Sequence, residues 1–226
     1  MNGFTGFPGD GLALLASLPS HDTPWFKSHK REYEAGVASP AKAFVEALGE
    51  RLRAEISPSI EAIPRTNGSI APINNDVRFA KDAPIYKDHL LFRFWEGTPK
   101  KQAPTLFVRL SATDLGFASG AAFATPDRWR AAVGADSTGA ALASLLDGLR
   151  ARHPIDIAGA ATKRVPAPYE PDHERADLLR LRGFQVRWSE PAPAVITGPD
   201  LVDWCLERLN ELAPVHAWLV ANIGDA

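Results

Sequence analysis

The sequence contains a single cysteine, which excludes a framework of internal disulfide bonds and fits a reducing compartment. It has no apolar run approaching the roughly 20 residues that a membrane-spanning helix needs. Its first residues also lack the basic and apolar regions of a secretory signal peptide. We therefore expect a cytoplasmic protein that does not contact a membrane.

A surplus of charge of either sign is missing as well. The 25 Lys and Arg side chains against 27 Asp and Glu give a formal net charge of -2, whereas general nucleic-acid binders usually carry a basic surplus. The sequence has no P-loop, no G-x-G-x-x-G and no cysteine cluster. These absences argue against nucleic-acid binding and against most nucleotide-hydrolysing, dinucleotide-binding and structural-zinc proteins.

The charge is nevertheless distributed unevenly along the chain. Residues 58–188 sum to +4, while residues 189–226 sum to -5 and have Arg208 as their only basic side chain. Such blocks are often no more than differently solvated faces. The middle of the chain is therefore the place to look for residues that bind an anionic partner.

The remaining composition is that of a folded globular protein, with 45% hydrophobic and 23% charged residues. The length fits one large domain and no repeat or linker divides the chain, so we predict a single domain over residues 1–226. The first quarter predicts helices, because Thr23-Pro24 and Ser39-Pro40 each place a hydroxyl N-cap before a proline at the first helical position.

The middle of the chain changes to the period of β-strands. Leu91–Trp95 and Thr105–Leu110 alternate between apolar and polar residues, and the intervals are too short for helical crossovers, so we expect antiparallel neighbours. The predicted fold class is α+β, with one mainly antiparallel sheet, helices packed on it, and helical N- and C-terminal segments. We expect two closing helices, the last starting at Pro214. The side chains expected in the core of this fold are Trp25, His29, Phe44, Leu48, Leu52 and Cys205.

Two polar segments stand out from this generic pattern. The first, Asn74–His89, lies before a predicted strand and is rich in charge. Its basic side chains could hold an anion while its carboxylates fix their orientation. Its titratable side chains are Asp76, Arg78, Lys81, Asp82, Tyr86, Lys87, Asp88 and His89.

The second polar segment, Lys163–His173, is stiffened by three prolines. It displays the same kinds of side chain, namely Lys163, Arg164, Tyr169 and His173. Both segments also allow a purely structural interpretation, because networks of Arg and Asp commonly hold long loops onto a domain.

These two segments, together with Trp25, Phe26, His29, Lys30 and Tyr33, resemble the bacterial family known as domain of unknown function 2461. Members of that family typically show Trp-Phe before His-Lys and a downstream Tyr. An Arg-Asp-x-Arg-Phe-Ser-Lys-Asp-Lys-x-Pro-Tyr-Lys segment follows, and later Pro-Lys-Gly-Tyr before Asp-His. The residues of the second and third elements that fit are Asp76, Arg78, Phe79, Lys81, Asp82, Pro84, Tyr86, Lys87, Pro166, Tyr169, Asp172 and His173.

The resemblance covers nearly the whole chain and implies a single-domain fold in which the two polar loops meet. It implies no particular reaction or catalytic residue. The sequence departs from the family pattern at Asn75, which replaces an Arg, at Ala83, which replaces a Lys, and at Ile85, which is an extra residue. Pro168 replaces a Gly, so a turn there is not free to adopt positive φ.

The favoured hypothesis is a pocket for a small anionic ligand, bearing phosphate or carboxylate, where the two polar loops converge. Arg78, Lys81, Lys87, Lys163 and Arg164 would bind the anion, and Tyr86 and Tyr169 would position it. Asp76 and Asp82 would orient the cations. His89 and His173 are the candidates for acid–base catalysis, because only histidine titrates near neutrality unaided.

Two alternatives stay open. In the first, the protein is a non-catalytic interaction module whose polar loops are scaffolding. In the second, it is a metal-dependent hydrolase that uses Asp76, Asp172 and His173, although their spacing matches no known ligand set. The sequence identifies no cofactor and no oligomeric state.

Overall fold

The computed structural model describes residues 3–76, 83–123 and 125–224. The first quarter of the chain is helical, as predicted. Its helices are α1 (Gly9–Ser17), a 3-10 turn (Leu18–Ser20), α2 (Thr23–Ser28), α3 (Lys30–Tyr33), a π-helical turn (Glu34–Ala38) and α4 (Ser39–Glu55).

The caps of these helices differ from the predicted ones. Oδ1 of Asp22 accepts a hydrogen bond of 2.9 Å from the backbone N–H of Trp25, so Asp22 caps α2 and Thr23 already lies in its first turn. Ser39 is not a cap either, because the π-helical turn runs directly into α4. The predicted hydroxyl caps at Thr23 and Ser39 are therefore wrong, although the two prolines do stand in first turns.

A close approach of two glycines joins α1 to the π-helical turn. A Cβ atom added to Gly11 would lie 2.1 Å from the carbonyl oxygen of Gly36. No side chain fits in this space, so glycine at position 11 lets the two backbones touch.

Five strands form one antiparallel sheet. The strands are β1 (His89–Trp95), β2 (Thr105–Ser111), β3 (Asp114–Ala122), β4 (Asp156–Ala158) and β5 (Gly183–Pro191). Their order in the sheet is β1-β2-β3-β5-β4, and the short edge strand β4 pairs Asp156 with Arg187 of β5. The prediction that the segments 91–95 and 105–110 are neighbouring strands is confirmed. Side chains of β1 and β2 alternate in burial, as their apolar and polar residues suggested.

The later helices confirm the helical C-terminal segment and correct one detail of it. A single helix runs through Pro214, so the prediction of two closing helices is wrong. Proline interrupts the hydrogen bonds of a helix, but the buried neighbours Leu212 and Val215 anchor this one on both sides of the break. The helices are α5 (Asp127–Gly134), α6 (Asp136–Arg150), α7 (Ala176–Leu179), a 3-10 turn (Ala194–Thr197) and α8 (Leu201–Asn222). No helix of the described chain is long and apolar enough to cross a bilayer.

The chain divides into two compact units. The first comprises Met1–Phe94, Phe107–Gly116 and Ser189–Arg208, and the second comprises Trp95–Leu106, Phe117–Trp188 and Leu209–Ala226. The single domain over residues 1–226 stays a prediction.

The core of the first unit is an aromatic cluster. Phe44 of α4 lies 4.9 Å from Phe92 of β1 and 5.3 Å from Phe4, measured between ring centroids. Phe44, Leu48, Leu52 and Cys205 are fully buried, as predicted. Trp25 is only half-buried, and its prediction as a core residue is wrong, because His21 and His29 cover its two faces instead.

Trp129 of α5 is the centre of the second unit's core. Its ring is fully buried and stacks on Phe184 of β5 at 4.9 Å, with the edge of Trp218 at 5.8 Å. The indole N–H of Trp129 donates to the carbonyl oxygen of Leu178 at 2.7 Å, so its one polar atom is satisfied.

Candidate anion site

The first polar loop begins and ends as two paired arms in the first unit. The backbone N–H of Asn75 donates to the carbonyl of Ile85 at 2.8 Å, and that of Lys87 donates to Ile73 at 2.9 Å. The Asn75 side chain adds a hydrogen bond to the carbonyl of Pro84 at 2.8 Å. The tip between the arms, with Arg78, Lys81 and Asp82, lies outside the described residues, so the roles predicted for those three side chains stay predictions.

Lys87 holds the two arms together. Its Nζ donates to the carbonyl of Pro72 at 2.6 Å and to that of Asn74 at 2.9 Å. Burial, and to a smaller extent the charge of Arg93, lowers the pKa of Lys87. Two of the three N–H donors of the Lys87 ammonium group are thus used within the loop. Ligand binding by Lys87 stays a prediction, and only the third donor is left for a ligand. Asp76, at the end of the first arm, is exposed.

An aromatic trio joins this loop to α2 and α3. Tyr86 is buried, and its ring stacks on Phe26 of α2 at 4.7 Å. The edge of Tyr33 lies 5.1 Å from the same Phe26 ring, and burial, followed by the charge of Glu34, raises the pKa of Tyr33 to about 12. The first two elements of the family pattern therefore meet in space, and Tyr86 contributes to packing in addition to any contact with a ligand.

A basic groove lies along α2 and α3, next to Phe26 in the chain. It has a volume of about 630 Å³, and its lining residues are Lys27, Ser28, Lys30, Arg31 and Glu34. Its carboxylate is already engaged, because Oε1 of Glu34 accepts a hydrogen bond of 2.7 Å from Nζ of Lys42.

The three cations of the basic groove have no such partner. Within residues 3–76, 83–123 and 125–224, no carboxylate lies within 4.0 Å of the charged atoms of Lys27, Lys30 or Arg31. All three side chains are exposed to solvent. Three adjacent positive charges without an ion-pair partner among the described residues make this groove a candidate anion site.

The basic groove is not among the sites predicted from the sequence. The signal was the run Lys27-Ser28-His29-Lys30-Arg31, which contains four basic or titratable residues among five. Because α2 ends at Ser28 and α3 begins at Lys30, the spacing of four residues does not by itself place Lys27 beside Arg31, and only the fold shows that both line one groove.

His29, the residue between α2 and α3, stacks on Trp25 of α2. Its ring lies 3.9 Å from Trp25, and His21 lies 3.4 Å from the other face of Trp25. Nδ1 of His29 is 2.9 Å from the carbonyl oxygen of Trp25, which only accepts, so Nδ1 carries the proton. Nδ1 is thus satisfied, but the residue is half-buried and lies outside the core, so the prediction of His29 as a core residue is wrong.

His89, a predicted catalytic residue, is held in a defined orientation at the start of β1. Its Nδ1 lies 2.7 Å from Oδ1 of Asp88, and the guanidinium of Arg109 lies 3.6 Å from the same carboxylate. The hydrogen bond from His89 is the main cause of the lowered pKa of Asp88. Asp88 therefore stays ionised and places the proton on Nδ1, which leaves Nε2 of His89 as a free acceptor among the described residues.

The second polar loop lies in the second unit and is anchored to α5. The hydroxyl of Tyr169 donates to the carbonyl of Arg130 at 2.8 Å, and a Cβ atom added to Gly134 would lie 2.2 Å from the ring of Tyr169. Nδ1 of His173 accepts a hydrogen bond of 3.0 Å from the backbone N–H of Arg175. Tyr169 and His173 thus hold the loop in place, and their predicted roles in binding and catalysis stay predictions.

Lys163 and Arg164 are the exposed cations of this second loop. No ion-pair partner for either side chain occurs in the part of the chain that the structure describes. The convergence of the two loops stays a prediction, since they belong to different units. Among described residues, no group of three or more His, Cys, Asp or Glu lies close enough to hold a metal ion, so the hydrolase alternative gains no support.

Comparison with known proteins identifies a family for this chain. A search of the curated proteins and a search of the solved structures each found no match to the chain. Residues 12–218 match a family described as "Conserved hypothetical protein (DUF2461)". That span includes the basic groove and both polar loops and covers most of the chain, which therefore belongs to this family.

Proposed function

We propose that the protein binds a small anionic ligand, bearing phosphate or carboxylate, in the basic groove of α2 and α3. The observation that carries the proposal is the set of three exposed cations, Lys27, Lys30 and Arg31, around a cavity of about 630 Å³. The neighbouring carboxylate of Glu34 is paired with Lys42, so it leaves their charge in place. Arg31 adds the planar donor geometry that suits phosphate and carboxylate.

The test is isothermal titration of inorganic phosphate into the wild type and into the triple variant Lys27→Ala/Lys30→Ala/Arg31→Ala. We expect the triple variant to lose at least about tenfold in affinity, since charge-assisted hydrogen bonds to an anion are worth roughly 1.5–3 kcal/mol each. The matched control Arg53→Ala/Arg65→Ala/Lys101→Ala removes the same charge from exposed residues outside the groove. If both triple variants lose the same affinity for phosphate, net charge alone explains the loss, and the proposal is contradicted.

Residues of the first polar loop extend the proposal. Arg78 and Lys81 would add cations to the anion site, with Asp76 and Asp82 to orient them. The support is the aromatic contact between Phe26 and Tyr86, which brings the arms of this loop to α2. Arg78→Ala should weaken phosphate binding without lowering the melting temperature, and Arg78→Lys should restore little, because a point charge does not reproduce a planar fork. A large drop in melting temperature with unchanged affinity would make Arg78 a structural residue.

Catalysis is a second candidate function, favoured by the Asp88–His89 pair. A carboxylate that fixes the tautomer of a histidine and leaves Nε2 free is the arrangement of a general base. If the ligand reacts, His89 would exchange a proton with it through Nε2. A screen of phosphorylated compounds for turnover tests this, with His89→Gln expected to abolish any activity while phosphate affinity is retained. Turnover that survives in His89→Gln would exclude His89 from this role.

The cytoplasm is the proposed location of this function. The support is the single cysteine, Cys205, which is free and fully buried. Fractionation of cells that produce the tagged protein tests the location, and recovery in a secreted or membrane fraction would contradict it.

The rival interpretation is the non-catalytic interaction module. It predicts that neither phosphate nor any carboxylate binds the wild type, and that variants of the basic groove affect only association with another macromolecule. The titration above distinguishes the two, because a module of this kind gives no heat with phosphate at millimolar concentration.

A further inference from the structure

The basic groove carries more positive charge than one phosphate group neutralises, and we propose that its natural ligand bears at least two phosphate groups. This deepens the proposed function and rests on it. A phosphate monoester carries a charge of about -1.5 to -2 at neutral pH. Lys27, Lys30 and Arg31 together supply three positive charges, and the described residues offset none of them. Two phosphate groups would match this charge, whereas one would leave a cation over.

The distribution of the cations along the helices agrees with an extended anion. Lys27 lies in α2, whereas Lys30 and Arg31 lie in α3, and His29 separates the two helices. All three side chains line the same groove. Cations from two helices can contact two phosphates at different points, while a single phosphate would need all three side chains to bend to one point at a cost in side-chain entropy.

The volume of the basic groove points the same way. At about 630 Å³ it falls within the range of sites for metabolite-sized ligands, roughly 300–1,000 Å³. A groove of this size accommodates an anion larger than a single phosphate group.

The two side chains of the basic groove that are not cations, Ser28 and Glu34, do not donate hydrogen bonds to a phosphate. The hydroxyl of Ser28 donates to the carbonyl oxygen of Trp25 at 2.7 Å, so its proton is already used. Glu34 offers only acceptor oxygens, one of which is bonded to Lys42. Neither side chain donates to a phosphate in this arrangement, and the number of phosphates is therefore set by Lys27, Lys30 and Arg31.

The experiment compares orthophosphate with pyrophosphate by isothermal titration at constant ionic strength, without divalent cations. We expect pyrophosphate to bind at least tenfold more tightly to the wild type. The single variants Lys27→Gln and Arg31→Gln should each lose more affinity for pyrophosphate than for orthophosphate, because each removes a contact to the second phosphate. The exposed-residue variant Arg53→Ala/Arg65→Ala is the control and should keep the full preference.

The outcomes separate this proposal from the one it rests on. Equal affinities for the two anions, both lowered in the groove variants, would overturn the two-phosphate ligand and leave anion binding standing. No binding of either anion would overturn both. A pyrophosphate preference that persists in Lys27→Ala/Lys30→Ala/Arg31→Ala would place the preference outside the groove and overturn the proposal as well. Circular dichroism of each variant checks that it is folded.

Discussion

Two histidines of this protein each lie beside a carboxylate, and they differ in their access to water. His89 pairs with Asp88 at 2.7 Å with 23% of its side chain exposed, whereas His216 of α8 pairs with Glu96 at 3.3 Å with 1% exposed. Burial lowers the pKa of His216 although Glu96 opposes the shift, and its Nδ1 has no hydrogen-bond partner among the described residues. Solvent access, more than the presence of an acid partner, therefore separates the two histidines, because burial favours the neutral form of His216.

Cys205 shows that burial also suppresses the reactivity expected of a thiol. It is fully buried in the first unit, and burial raises the pKa of its thiol far above the ordinary value. Its labelling by a thiol reagent should be at least about a thousandfold slower in the native protein than in urea, because reaction then waits for unfolding. Time-resolved absorbance with an aromatic disulfide measures both rates. Rapid stoichiometric labelling of the native protein would contradict the burial and revive a reactive thiol.

Removing the acid partners should affect stability unequally. Glu96→Ala should lower the free energy of unfolding by about 1–3 kcal/mol, since it leaves a buried imidazole without its bonded partner. Asp88→Ala, whose carboxylate is 53% exposed, should cost no more than about 1 kcal/mol. Urea unfolding of the two variants at pH 7 measures both values. Equal costs would mean that burial does not distinguish the two pairs.

The smallest expected effect is a dependence of stability on pH. Because the pKa of His216 is lowered in the folded protein, the unfolded chain binds a proton more readily, and stability falls as the pH drops below about 6.5. Above that pH, the residue is neutral in both states and contributes no slope. Urea unfolding between pH 5 and 8 checks this, with His216→Asn as the control for the other histidines. If the free energy of unfolding of His216→Asn depends on pH as steeply as that of the wild type, another titratable group causes the effect.

Much of the fold was predictable from the sequence, because the spacing of apolar residues along a strand or helix matches the side of it that is buried. The alternation in Leu91–Trp95 and Thr105–Leu110 predicted β1 and β2, and the apolar stripe of α4 predicted the burial of Phe44. The helix through Pro214 was missed because tertiary packing on both sides outweighs the missing hydrogen bond. Trp25 was misplaced for a similar reason: two nearby imidazoles cover its faces, and no pattern of apolar spacing reports a stack with histidine.

The candidate site was less predictable than the fold. The aromatic contact between Phe26 and Tyr86 joins segments that are 60 residues apart, and sequence spacing does not measure such distances. The pairing of Glu34 with Lys42 likewise decides whether the cations of the basic groove are neutralised, and it depends on the π-helical turn between those residues. A charge count along the chain cannot distinguish a paired cation from one that is available to a ligand.

Lys87 and the pair Lys163-Arg164 should respond very differently to a protease. Trypsin must draw a basic side chain into its own pocket, and the ammonium of Lys87 is already bonded to two backbone carbonyls. Lys163 and Arg164 are exposed, and the residue that follows them is Val165, which does not block cleavage as proline would. Limited digestion should therefore cut the chain after Lys163 or Arg164 and spare the bond after Lys87, and the masses of the fragments show which of these bonds is cut.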